Sequence, residues 1–163
     1  MSELERITDQ LHRMYHGDAW HGPSLTEALD GVTVAQAAAR PLHGGHTIHE
    51  LTHHVAAWIG EVHDRLLGKA PGNPADGDFP PPDEPVDGAA WERVRERLAA
   101  RHAALMQVVA RFDPGRLDDP VDPTKGRQSG TAGTFYALLH GLVQHNAYHA
   151  GQIAILRKGA PRP

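Results

Sequence analysis

Hydrophobic residues recur every three or four positions in four long segments of the chain, which is the spacing of one buried face on an α-helix. The first segment, residues 2–14, repeats through Leu4, Ile7 and Leu11. The other three cover residues 47–66, 89–112 and 134–156. No segment alternates with the period of two that a half-buried strand requires. The pattern therefore predicts an all-α fold with four long amphipathic helices.

Capping residues and breaker residues divide these segments. Thr47 and Glu50 form a Thr-x-x-Glu capping box, and Ser24 and Thr33 are predicted to open two short helices before Pro41. Residues 68–88 and 118–133 are rich in proline and glycine and carry no periodicity, so both are predicted loops. The first is unusually long for a compact domain. We therefore expect residues 1–163 to form a single domain, a four-helix bundle with a long crossover loop between helices two and three.

Composition and net charge exclude several classes of function. The chain has 163 residues, a net charge of −4 with neutral histidine, and no cysteine. The charge argues against a nucleic-acid surface, and no apolar run approaches the roughly 20 residues of a membrane span. The lack of cysteine excludes disulfides, cysteine-rich zinc sites and a cysteine nucleophile. We expect a cytoplasmic protein that binds a small molecule rather than nucleic acid or membrane.

Thirteen histidines are dispersed through the chain, and their helical positions separate them. His145 and His149 stand four residues apart on the apolar side of the fourth segment, and His54 lies on the shoulder of the second segment's apolar face. A histidine on an apolar face can be a hydrogen-bonded core residue, but three from two facing helices favour a shared metal ion. Solvated surface positions are predicted for six others, His12, His16, His53, His63, His102 and His140. Core packing is predicted for Trp58 and Trp91.

Two motifs resemble the DinB/YfiT-like superfamily of small bacterial metal-binding four-helix bundles. They are TIHELTHHVAAW at residues 47–58 and GLVQHNAYHAGQI at residues 141–153, and AWHGPS at residues 19–24 resembles a loop found in part of the family. The resemblance implies a divalent ion, commonly zinc or nickel, bound by His54, His145 and His149. It also implies a homodimer. In several branches it implies transferase or isomerase chemistry with a low-molecular-weight thiol such as bacillithiol or mycothiol.

Three neutral histidines leave at least one coordination position open, which is typical of catalytic metal sites. Asn146 occupies the place where a His-Glu-x-x-His peptidase carries its general base, so a peptidase is disfavoured. Glu50 and Glu61 are the candidate catalytic carboxylates, although Glu50 could equally be a helix cap or a solvated rim residue. The sequence favours a metal-dependent enzyme that activates a low-molecular-weight thiol or water for transfer to, or hydrolysis of, a small molecule. The alternatives are a non-catalytic metal- or ligand-binding stress-response protein, and a bundle whose histidines are structural.

Overall fold

The computed structural model describes residues 1–80, 85–124 and 133–160. Over these ranges the chain forms six α-helices and no strand. They are α1 (Glu3–His16), α2 (Leu25–Leu29), α3 (Val34–Ala38), α4 (Ile48–Leu66), α5 (Gly88–Val109) and α6 (Phe135–Gly159). A 3-10 turn spans Pro114–Arg116, and an isolated bridge pairs Pro120 with Thr134. The predicted all-α fold is confirmed.

Four helices begin at a complete capping box, so their starts are encoded in a few neighbouring residues. In α4 the Glu50 N–H donates to the Thr47 hydroxyl at 3.1 Å, and the Thr47 N–H donates to the Glu50 carboxylate at 2.8 Å. Ser2, Ser24 and Thr33 cap α1, α2 and α3 in the same way. Each box satisfies two backbone N–H groups that have no partner inside the helix.

The helix ends differ slightly from the predicted ones. Helix α5 ends at Val109, three residues before the expected Phe112, and α6 continues to Gly159, three residues beyond Leu156. The predicted breaker Pro161 lies outside the described residues, as do parts of both predicted loops, residues 81–84 and 125–132.

The four long helices form a closed ring of neighbours. Helix α4 packs against α5 and α6, and α1 packs against the same two helices. The rings of His49 and Trp91 lie 6.2 Å apart, and Gly60 faces the side chain of Arg101 further along both helices. Residue numbers therefore rise in the same direction on α4 and α5, and the two helices are parallel. A parallel neighbour requires a connection that returns along the whole of α4, which is the predicted crossover.

Side chains from both helices fasten the crossover to the bundle. Arg65, near the end of α4, donates to the carbonyl oxygen of Gly72 at 2.7 Å. Further along, the Asp76 carboxylate forms ion pairs with Arg97 and Arg101 of α5. The returning segment consequently lies against the bundle and brings residues 78 and 79 beside the N-terminal half of α4.

The prediction of a solvated His102 is wrong. Its side chain is only 3% exposed and stacks on Tyr15 of α1, with ring centroids 3.7 Å apart and planes 4° from parallel. Helix α1 covers this position of α5. The prediction used the apolar pattern of α5 alone, which does not show which other helix packs against it. His12 and His16 are exposed as predicted. The other three histidines predicted to be solvated, His53, His63 and His140, are half-buried.

The two tryptophans predicted to pack in the core differ in their burial. Trp91 is buried and donates its indole N–H to the carbonyl oxygen of Val32 at 3.2 Å. Trp58 is half-buried and lies near His145 and the crossover. In the described part of the chain, no helix has both the length and the apolar character needed to cross a membrane.

Candidate metal centre

Three histidine rings converge between α4 and α6. His145 and His149 lie one turn apart on α6 with ring centroids 4.5 Å apart, and the His54 ring on α4 lies 5.0 Å and 4.5 Å from them. One ring nitrogen from each lies within 4.8 Å of the other two. The Nε2 atoms of His54 and His145 lie 3.0 Å apart. The three histidines singled out in the sequence are thus brought together.

Each ring is held through its Nδ1 atom by an oxygen acceptor. The three pairs are His54 with the carbonyl of Asp78 at 2.6 Å, His145 with Asn146 Oδ1 at 3.1 Å, and His149 with Gln152 Oε1 at 2.7 Å. Carbonyl and amide oxygens only accept hydrogen bonds, so each Nδ1 carries the hydrogen. In a neutral imidazole Nε2 is then the free ligand atom, and an outer hydrogen bond at Nδ1 is the usual support of a metal-binding histidine.

A divalent ion fits this arrangement. Two Nε2 lone pairs 3.0 Å apart repel each other unless positive charge lies between them. Zinc–nitrogen bonds of about 2.0–2.1 Å at tetrahedral angles place two ligand nitrogens about 3.3 Å apart, close to the observed spacing. Three nitrogen ligands do not complete a tetrahedral sphere, so one position remains for water or a substrate atom.

The surroundings keep all three imidazoles neutral at pH 7. Burial lowers the pKa of His54 and of His145, while the hydrogen bonds of His54 to Asp78 and of His145 to Asn146 act in the opposite direction. Burial, together with the neighbouring charge of His145, lowers the pKa of His149 to about 4. A neutral imidazole is the form that binds a metal ion, so the rings are ready to bind without first losing protons.

The crossover supplies two residues that sequence reasoning missed. Asp78 accepts the hydrogen bond from His54, and its carboxylate accepts another from the indole N–H of Trp58 at 2.7 Å. Phe79 stacks between His54 and His46, with ring centroids 4.1 Å and 3.8 Å away. The loop has no periodicity, so no sequence signal pointed to these residues. By contrast, the spacing of His149 and Gln152 on one helix was a signal that could have identified Gln152.

Asn146 has a defined role in place of the missing general base. Its side chain is fully buried, and its amide oxygen holds His145. The position that would carry the base of a peptidase therefore orients a ligand instead.

The two candidate carboxylates have other partners. Glu50 caps α4, pairs with Arg40 at 2.5 Å and lies 3.3 Å from His46. Glu61 is 2% exposed and forms ion pairs with Arg65 at 2.9 Å and Lys69 at 2.6 Å. Within the ranges that the structure describes, neither belongs to the cluster of converging ligands.

A comparison with protein families identifies the family of this chain. No curated protein and no solved structure matches the chain. A family model described as the DinB superfamily matches residues 19–153, a span that contains all three converging histidines and both of their helices up to residue 153. Because this span covers most of the 163 residues, the chain belongs to the DinB superfamily.

Proposed function

We propose that the protein binds one divalent ion, zinc or nickel, through His54, His145 and His149, and that it is an enzyme acting on a small molecule. The ion would activate a low-molecular-weight thiol or water for transfer to, or hydrolysis of, that molecule. The observation that supports this best is the convergence of three ring nitrogens within 4.8 Å of one another. Each of the three rings also donates a hydrogen bond from its Nδ1 atom to an oxygen acceptor.

The protein's own residues prepare the site for this chemistry. Asp78, Asn146 and Gln152 fix the three ring orientations, and burial keeps the imidazoles unprotonated. A bound divalent ion supplies positive charge that lowers the pKa of a coordinated thiol or water. Since the chain contains no cysteine, any thiol must arrive as a cofactor or substrate.

Metal analysis of single variants tests the site. We expect about one equivalent of zinc or nickel in the purified protein and its loss in His54→Ala, His145→Ala and His149→Ala. His21→Ala is the matched control, because His21 is exposed in the loop before α2. Full metal content in all three site variants would refute the assignment.

A non-catalytic metal- or ligand-binding protein is the second candidate. It is favoured by the partners of the two candidate carboxylates, since a general base must be free to accept a proton from the reacting group. Glu50 caps α4 and pairs with Arg40, and Glu61 pairs with Arg65 and Lys69. Native mass spectrometry and thermal-shift measurements with bacillithiol and mycothiol distinguish the two. Thiol binding that requires the metal supports transfer chemistry, whereas metal binding without any bound thiol or turnover supports the alternative.

We also propose that the protein is a homodimer. Two large apolar side chains, Tyr148 and Ile155, are 64% and 62% exposed on one face of α6. They lie seven residues apart, so they occupy the same side of the helix. Light scattering of the purified protein tests this, with Ile155→Arg expected to give a monomer. An unchanged mass for that variant would exclude this face as the interface.

A further inference from the structure

We propose that Asp78 is a positioning residue for the metal centre, through which the crossover between α4 and α5 controls metal affinity. This inference rests on the proposed metal site. It concerns a part of the chain that supplies no ligand, and it assigns the crossover a role beyond connecting two parallel helices.

The three ligand candidates are not supported in the same way. His145 and His149 are held by Asn146 and Gln152, which follow them on the same helix by one and three residues. Their orientation is therefore fixed as soon as α6 forms. His54 is held by the carbonyl of a residue 24 positions later, outside any helix. The direction of its Nε2 atom consequently depends on where the crossover lies.

The Asp78 side chain keeps that carbonyl in place. Its Oδ1 atom accepts the indole N–H of Trp58 at 2.7 Å and lies 3.4 Å from His54 Nδ1. Trp58 follows His54 by one helical turn. The backbone carbonyl and the side chain of Asp78 therefore bind residues on two successive turns of α4. The carboxylate also places negative charge beside the imidazole, which makes the ring a better donor to a cation.

Phe79 extends this contact across the ring face. It is stacked on His54 at 4.1 Å, with planes 15° from parallel, so the ring cannot rotate about χ2 without displacing it. Two consecutive crossover residues thus restrain one ligand by an edge contact and a face contact. Loosening the crossover should release His54 and leave the other two histidines in place.

Cobalt(II) binding tests the proposal, because its visible spectrum reports ligand geometry directly. Asp78→Ala removes the carboxylate, and Trp58→Phe removes its indole partner while keeping an aromatic ring. We expect each to weaken cobalt and zinc affinity roughly 10- to 100-fold, the usual effect of losing an outer hydrogen bond to a ligand, and to change the cobalt spectrum. The double variant should lose little more than the stronger single variant, because both substitutions break the same contact.

Asn73→Ala is the matched control. Asn73 is exposed on the same crossover, five residues before Asp78. The variant should retain wild-type affinity and spectrum. Unchanged binding by Asp78→Ala, or an equal loss in Asn73→Ala, would overturn the proposal. If the wild-type protein binds no cobalt or zinc, the proposed function itself fails, which is a distinguishable result.

Discussion

The Nε2 atoms of His54 and His145 lie 3.0 Å apart although the two residues are 91 positions apart in the chain. Both Nδ1 atoms donate hydrogen bonds, so both Nε2 atoms present lone pairs to each other. The contact between α4 and α6 is therefore strained at this point unless positive charge separates the two nitrogens. The stability of the folded protein should consequently depend on whether the metal is bound.

Removal of the metal should lower the melting temperature. At a free zinc concentration about 100 times the dissociation constant, binding stabilises the folded state by about 2.7 kcal/mol. For a chain of this size that corresponds to a rise of roughly 5–10 °C relative to the protein with a chelator. Thermal unfolding with and without zinc measures the shift. His149→Ala should abolish it, whereas His21→Ala should retain it.

Replacement of Asn146 should separate stability from metal binding. Its amide oxygen holds His145, but its buried amide nitrogen has no hydrogen-bond partner among the described residues. Asn146→Leu keeps the branching and the number of non-hydrogen side-chain atoms and removes that unpaired donor, but its methyl groups are larger, so we expect a loss of stability of no more than about 1–3 kcal/mol from overpacking. Metal affinity should fall roughly 10-fold or more, because His145 loses its acceptor. Urea unfolding and zinc competition measure the two effects, and unchanged zinc affinity would contradict the role assigned to Asn146.

Substitution of Glu61 tests whether this carboxylate is a base or part of the framework. It is buried between Arg65 and Lys69, and glutamine in its place keeps an oxygen acceptor but removes the negative charge that faces the buried Arg65 guanidinium. We expect Glu61→Gln to destabilise the fold by about 3 kcal/mol and to leave metal affinity unchanged. Urea unfolding with zinc titration provides both measurements. A fully stable variant with altered metal binding would instead place Glu61 in the site.

His102 should make the fold sensitive to mild acid. Burial, with the nearby charges of His16 and His12, lowers its pKa to about 4 from 6.5 in the unfolded chain. Between these values the unfolded state binds more protons, so stability falls as the pH decreases through this window. From about pH 7.5 to about pH 5 the loss is about 2 kcal/mol from this residue alone. Above about pH 7 the residue contributes no such dependence.

The variant His102→Phe isolates that contribution. Phenylalanine keeps the stacking on Tyr15 but cannot be protonated. Urea unfolding at the two pH values should show a smaller acid loss than in the wild-type protein. His12→Ala, at an exposed position on α1, is the control and should retain most of the acid loss. Identical pH dependence in His102→Phe and the wild type would exclude His102 as its source.

The sequence by itself determined the helices and singled out all three converging histidines. Capping boxes such as Thr47 with Glu50 are local, and the positions of His145 and His149 follow from the pitch of one helix. Periodicity also placed His54 on the shoulder of the apolar face of its helix, and an amphipathic helix buries the face that its apolar residues define. These features depend on residues that are close together in the sequence, and hydrophobic periodicity and capping motifs detect relationships of that kind.

Only the tertiary structure decided which groups surround those rings. Asp78 and Phe79 reach His54 because the crossover returns along α4, and His102 is buried because α1 covers it. These pairs of residues are separated by 24 or more positions in the sequence. They come into contact through helix packing and the path of the crossover, and hydrophobic periodicity predicts neither of these. Local order therefore fixed the ligand candidates, while long-range packing fixed their orientation and their environment.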